Sequence, residues 1–208
     1  MQEIREETIQ CISETLPSHH HIEDAHPGWS CESNIFWNHD YFKKLEHGHE
    51  NLNMPEVHRG LFWVRLKLKG STKTLLIATA QPGKAIRMRW IRDSPKETNK
   101  RVKQLNTLKK LRKKNELVFF MGDLNDPVLH MILFPEAGYQ SCFKELNLLC
   151  PPTFPALPTT DDIGENQVID WIFSNGKATA ISASVPQLYY EHMSPPDHWP
   201  VQAFYRLD

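Results

Sequence analysis

The sequence has no apolar run near the roughly 18 residues that a membrane-crossing helix needs. It has no excess of one charge either: 24 Lys and Arg stand against 25 Asp and Glu, for a formal net charge of -1. That excludes a polycation that binds polyanions by bulk charge alone. Cysteine is scarce, and Cys11, Cys31, Cys142 and Cys150 form neither a CxxC pair nor zinc-ligand spacing. There is no internal repeat and no low-complexity tract. The opening Met1-Gln2-Glu3-Ile4-Arg5-Glu6-Glu7 is acidic and polar, unlike a secretory signal. These absences lead us to expect a single domain over residues 1–208, with free thiols, no membrane segment and a cytoplasmic or nuclear location.

The charge that is present is unevenly placed. Thirteen of the 24 basic residues fall between Lys84 and Lys114, opposed only by Asp93 and Glu97. A local field of that sign suits a phosphate-rich partner such as nucleic acid, although a solvated helix face explains it equally well. Hydrophobic periodicity predicts a helix over Glu6–Leu16, ended by Pro17, then a histidine-bearing loop over Ser18–Ser30 and a short strand at Asn34–Trp37. Gly60–Lys69 alternates as a half-buried strand and returns through Gly70 to Leu75–Ala78. Ser94-Pro95-Lys96-Glu97 reads as a helix start, with Val102, Leu105, Leu108 and Leu111 expected on its buried face. Leu117–Met121 is a buried strand, Asp126–Leu133 a short helix, and 168–173, 180–185 and 201–205 late strands. Interleaved strands and helices make the expected fold class a layered α/β domain.

Three acidic segments follow or interrupt apolar strands: Gly122-Asp123-Leu124-Asn125, Ile169-Asp170-Trp171-Ile172-Phe173 and Asp197-His198-Trp199-Pro200-Val201. A carboxylate inside an apolar strand, as at Asp170, is costly unless paired or metal-bound. Asp123 with Asn125 could orient a water and hold a phosphate oxygen. Asp170 with His198 could form the pair that keeps an imidazole protonated beside phosphate. Other clusters read more simply. His19, His20, His21 and His26 are expected to be a solvated loop rather than a metal site, and Trp29, Trp37 and Trp63 packing residues. Trp90 among Arg87, Arg89 and Arg92 is the better candidate for stacking on a base.

In this order, the three segments resemble the GDxN, [IL]D[YW]I and SDH signatures of the endonuclease/exonuclease/phosphatase family, whose members include DNase I and apurinic endonucleases. Met1-Gln2-Glu3-Ile4 is similar to that family's LQE strand end, and Ser33-Asn34-Ile35-Phe36-Trp37 to another of its strands. Arg59-Gly60-Leu61 with Thr79, and Arg101 with Gln104, match further positions, so the resemblance spans nearly the whole chain. It implies a four-layer α/β-sandwich and an Mg²⁺-dependent (or Mn²⁺-dependent) phosphodiesterase, with a nuclease the leading expectation. A phosphatase on a small or lipid-linked phosphate, or a catalytically silent binding module, is the alternative. The resemblance makes Glu3 and Asp197 metal ligands, Asp123, Asn125, Asp170 and His198 catalytic, and nucleic acid the partner. The sequence departs from the pattern in three places. It begins at the Gln-Glu motif, so the family's first strand is expected to be missing. Gln81 stands where many members have His, and Pro196 where they have Ser before Asp-His.

Overall fold

The computed structural model describes residues 2, 4–54, 56–80, 95–156, 166–189 and 197–207. Its centre is a six-stranded sheet of β3 (Phe42–Glu50), β4 (Leu61–Leu68), β5 (Thr74–Ala80), β6 (Leu117–Asp123), β7 (Gln140–Ser141) and β8 (Asp170–Ser174). The order is β3-β4-β5-β6-β8-β7, with β5 and β6 parallel and the other neighbours antiparallel. The parallel pair is joined through α3 (Pro95–Leu111), as a crossover between parallel strands requires. Two smaller sheets flank the centre: β1 (His19–His20) with β2 (Trp37–Asn38), and β9 (Thr179–Ser184) with β10 (Gln202–Arg206). The remaining helices are α1 (Glu6–Thr15), α2 (Gly28–Cys31), α4 (Leu129–Glu136) and α5 (Cys142–Glu145). No helix among the described residues is long and apolar enough to cross a membrane.

Strand alternation divides the core. Leu76, Ala78, Val118, Phe120 and Phe173 point one way, into a cluster with Leu105 and Leu108 of α3 and Phe134 of α4. Leu75, Leu117 and Phe119 point the other way, against Tyr205 and Leu207 at the end of the β9–β10 layer. A third cluster packs Ile22, Trp29, Ile35 and Trp37 on Phe62, Val64 and Leu66 of β4. The three described tryptophans expected in the packing, Trp29, Trp37 and Trp63, are all buried. The layered α/β expectation holds.

Several local expectations need correction. Val102 is exposed, whereas Arg101, Gln104, Leu105 and Leu108 are buried. A strict three-residue spacing drifts around a helix of 3.6 residues per turn, and the 101-104-105-108 stripe follows the true face. Leu61–Leu66 is buried on both faces, including Arg65, rather than half-buried. At Asn34–Trp37 only Trp37 is in a strand. Asn34 takes over the backbone pairing there, its Oδ1 accepting from the Ile22 and Ile35 N–H groups and its Nδ2 donating to the Ile22 and Trp29 carbonyls. The loop expected over Ser18–Ser30 contains β1 and most of α2.

Candidate active site

Asp123 ends β6 and Asp170 begins β8, and the antiparallel register sets the two directly opposite each other. Both therefore stand at one edge of the sheet. Gly122 makes the approach to Asp123 possible. Its φ is 149°, and a Cβ there would lie 2.4 Å from Gln2 Nε2 and 2.9 Å from the Ala80 carbonyl oxygen. Gln2 fills that space and accepts the Asp123 N–H through Oε1 at 2.5 Å. Beyond it the chain turns through Asn125, which takes a left-handed φ of 51°, a conformation asparagine tolerates. Asn125 returns its backbone N–H to Asp123 Oδ1 at 2.7 Å and its Nδ2 to Oδ2 at 3.0 Å. The carboxylate is thus buried and fixed in orientation.

From α3, Arg101 holds the following residues. Its Nη2 donates to the Leu124 carbonyl at 2.7 Å and lies 3.3 Å from Asp126 Oδ2. Asp126 in turn accepts the N–H groups of Val128 and Leu129 at the start of α4. The acidic loop is therefore tied to two helices as well as to the sheet.

His198 arrives from the far end of the chain. Its Nδ1 is 2.8 Å from Asp170 Oδ2, and its Nε2 is 3.9 Å from Asp197 Oδ2. Burial works against the charged imidazole. The hydrogen bond and charge of Asp170, with Asp123 and Asp197 adding, outweigh it and push His198 up to about 9. The ring also packs on Phe154, with centroids 5.0 Å apart.

The segment Thr153–Ala156 registers His198 against β8, a role with no signal in the sequence. Thr153 Oγ1 accepts the N–H groups of both Ile169 and Asp170, each at 3.1 Å. Its own carbonyl accepts from Trp199 N at 2.8 Å, and Ala156 N donates to the Asp197 carbonyl at 2.8 Å. A threonine between Pro152 and Phe154-Pro155 carries no recognisable motif, and the Phe154–Gln167 bridge together with these bonds brings it to the site. Gln2 supports the site in the same way through the Asp123 N–H, and an uncharged side chain beside Glu3 carries no sign of that role in the sequence.

Of the expected site residues, Asp123, Asn125, Asp170, Asp197 and His198 come together. Glu3, Gln81, Pro196 and the Arg87–Arg92 segment with Trp90 lie outside the described residues. Among the described residues, no group of three or more His, Cys, Asp and Glu side chains is arranged to hold a metal ion. In the histidine-bearing loop, His26 Nδ1 accepts the Gly28 N–H at 3.2 Å, and the other contacts include rings and a carboxylate. His26 stacks on His49 at 3.6 Å and His20 lies 4.4 Å from His39, while His47 Nε2 is 3.0 Å from Asp24 Oδ2.

Fold and edge together define the class: an α/β domain of the endonuclease/exonuclease/phosphatase fold, with its acidic residues and histidine gathered at one sheet edge. No family model and no curated protein matches the chain in sequence. Solved structures match it in fold. D. rerio TDP2 complexed with a single-strand DNA product superposes with a TM-score of 0.77 at 16% identity, covering 99% of this chain and 84% of that one. An endonuclease/exonuclease/phosphatase family protein from Bacteroides thetaiotaomicron gives 0.75 at 20% identity, covering 100% and 82%. The mannosyl-6-phosphatase Bt3783 of the same bacterium gives 0.73 at 20%, covering 98% and 83%.

Proposed function

We propose that this chain is a metal-dependent phosphoric-ester hydrolase whose substrate is a nucleic-acid phosphodiester. The observation that carries the reading is the His198–Asp170 pair at 2.8 Å, beside Asp123 and Asp197 at one sheet edge. Asp123, held by Asn125, takes a proton from a water placed in line with the scissile P–O bond. The second N–H of the Asn125 amide binds a non-bridging oxygen. His198, charged because Asp170 accepts from Nδ1, donates from Nε2 to the phosphoryl oxygens as negative charge gathers on them. Water adds its oxygen to phosphorus, the ester oxygen leaves, and no covalent enzyme intermediate forms.

The donor chemistry suits a hard divalent cation. Asp197 offers an exposed carboxylate beside this edge, and hard oxygen donors select Mg²⁺ or Mn²⁺ over softer metals. Glu3 and Asp197 are the residues that would hold it. Such an ion would polarise the phosphate and steady the leaving oxygen. A small or lipid-linked phosphate is the second reading, favoured by the fold similarity to a mannosyl-6-phosphatase.

The test compares wild type, Asp170→Asn, His198→Ala and the double variant on bis(p-nitrophenyl) phosphate and on single-stranded DNA, with Mg²⁺, Mn²⁺ or EDTA. Each single change should lower kcat by about 10²–10⁴-fold, and the double by little more, because the pair acts as one unit. EDTA should abolish turnover. Additive losses would end the paired role, and turnover in EDTA would end the metal requirement. A steep fall in binding with salt marks a polymeric substrate, and a shallow one a small phosphate.

A further inference from the structure

The register places lysine at the same edge of five neighbouring strands, and this edge is not the one that holds Asp123. At the start of β3, Lys43 faces Lys67 near the end of β4. Lys69 follows β4, and Lys73 precedes β5. Lys109 and Lys110 end α3, and Arg112, Lys113 and Lys114 lead into β6. Lys177 lies between β8 and β9. Except for the half-buried Lys73, all of these are exposed. The two edges are separated by the length of β6, seven residues or about 20 Å.

Two of the acids near this edge are engaged by basic side chains, and an exposed third, Asp40 beside Tyr41, lies 3.4 Å from His39 Nδ1. Glu46 pairs with Lys113 at 2.7 Å and with Arg65, and Glu116 is buried against Arg65. The exposed lysines therefore set the local field, although the whole chain carries a net -1. Like charges placed directly across strands, as Lys43 and Lys67 are, disfavour pairing. An anion between them would relieve that repulsion.

Two more features belong to this edge. A cleft of about 380 Å³ opens between strand ends, lined by Lys73, Thr74, Asn115, Leu117, Gly176 and Lys177. Lys73 Nζ donates to the Leu207 carbonyl at 2.8 Å, and the Lys177 ammonium and the hydroxyl and amide of Thr74 and Asn115 are donor types that suit phosphate oxygens. At the β3–β4 end of the same edge stands Tyr41, 63% exposed, whose carbonyl accepts the Lys69 N–H.

The geometry points to a nucleic-acid-binding surface at this lysine edge, separate from the candidate active site, where backbone phosphates meet the lysines and the cleft and a base stacks on Tyr41. A recessed cleft with donors in it suits a projecting phosphate ridge, and an exposed aromatic ring among cations suits an unpaired base. A planar anionic membrane would touch only the tips and leave the cleft empty. The inference rests on strand register and exposure, not on hydrolysis, so either reading can fail without the other.

The experiment uses the full chain in EDTA, so that nothing turns over, with fluorescein-labelled oligothymidylate as probe and anisotropy read across a salt series. Reversal of Lys67 and Lys69 to Glu should weaken binding at least tenfold at low salt. It should also make the log–log salt slope shallower by about 1.4, for two phosphate contacts on a single strand. Tyr41→Ala should weaken binding at least about fivefold without changing the slope. Reversal of Arg5 and Lys144, exposed residues elsewhere, controls for net charge, and thermal melting of every variant controls for folding. Unchanged affinity and slope in the Lys67/Lys69 variant would overturn the inference, as would an equal loss in the Arg5/Lys144 variant. Phosphatidylserine vesicles sedimented with wild type but not with the Lys67/Lys69 variant, together with no oligothymidylate binding, would replace it with a membrane surface.

Discussion

A single hydroxyl oxygen shows how closely the site depends on residues that touch no substrate. Thr153 is fully buried, and its Oγ1 accepts two backbone N–H groups, one of them that of Asp170. Valine would keep the shape and leave both donors unpaired. Thr153→Val should cost about 1–3 kcal/mol in urea unfolding. It should also lower kcat more than it changes KM, because Asp170 would sit loosely under His198. Thr153→Ser keeps the acceptor and should restore most of kcat. If serine fares no better than valine, the methyl group rather than the hydroxyl is what matters. At this scale the sequence was readable where charge sat in an apolar strand. Asp170 stood out because a carboxylate inside an apolar strand demands a partner, whereas Asp123 and His198 stood out through the order of the three acidic segments and their resemblance to the family's signatures. Thr153 and Gln2 did not, since an uncharged donor or acceptor leaves no such contradiction in the sequence.

Elements follow the same division. β5, β6 and β8 were legible because apolar side chains line both faces of strands packed inside the domain. β3 was not. Phe42–Glu50 carries Lys, Glu and His along an edge strand, whose exposed polar residues mimic a loop. Its inner neighbour β4 hides a charge that sequence alone places on the solvent face. Arg65 is 3% exposed, with Nε 2.6 Å from Oε1 of Glu116, itself 1% exposed, and Nη2 2.6 Å from the Leu111 carbonyl. One side chain thus ties β4 to the end of α3 and to the residue before β6. Arg65→Met should destabilise the protein by about 3–5 kcal/mol, because Glu116 would remain buried with its charge uncompensated. Changing both, Arg65→Met with Glu116→Leu, should recover much of that loss in the same urea titrations. A double variant as unstable as the single would mean that the Leu111 contact, not the ion pair, carries the effect.

On the scale of the whole molecule, two histidines set opposite limits on stability. His198, raised to about 9, contributes stability that is fully present below the unfolded value of 6.5 and is lost as pH rises through about 9. His130 does the reverse. It is fully buried against Trp171 and Phe173, with ring centroids 4.9 and 5.9 Å away, and neither ring nitrogen has a hydrogen-bond partner among the described residues. Burial, with Arg101 adding to it and Asp126 opposing, pushes it down to about 3. The folded protein therefore holds His130 neutral, while the unfolded chain takes up a proton below about 6.5. Its contribution is present above that pH and is lost as pH falls towards 3. Together the pair predicts greatest stability near neutrality, falling on both sides. Unfolding free energies measured by urea titration from pH 7 to pH 4.5 should decline with a one-proton component of about 1.4 kcal/mol per pH unit. His130→Leu should remove that component while leaving the alkaline decline in place, since the imidazole of His198 is untouched. If wild type and His130→Leu lose stability in parallel on the acid side, His130 is protonated in the folded state and the acid limit has another source.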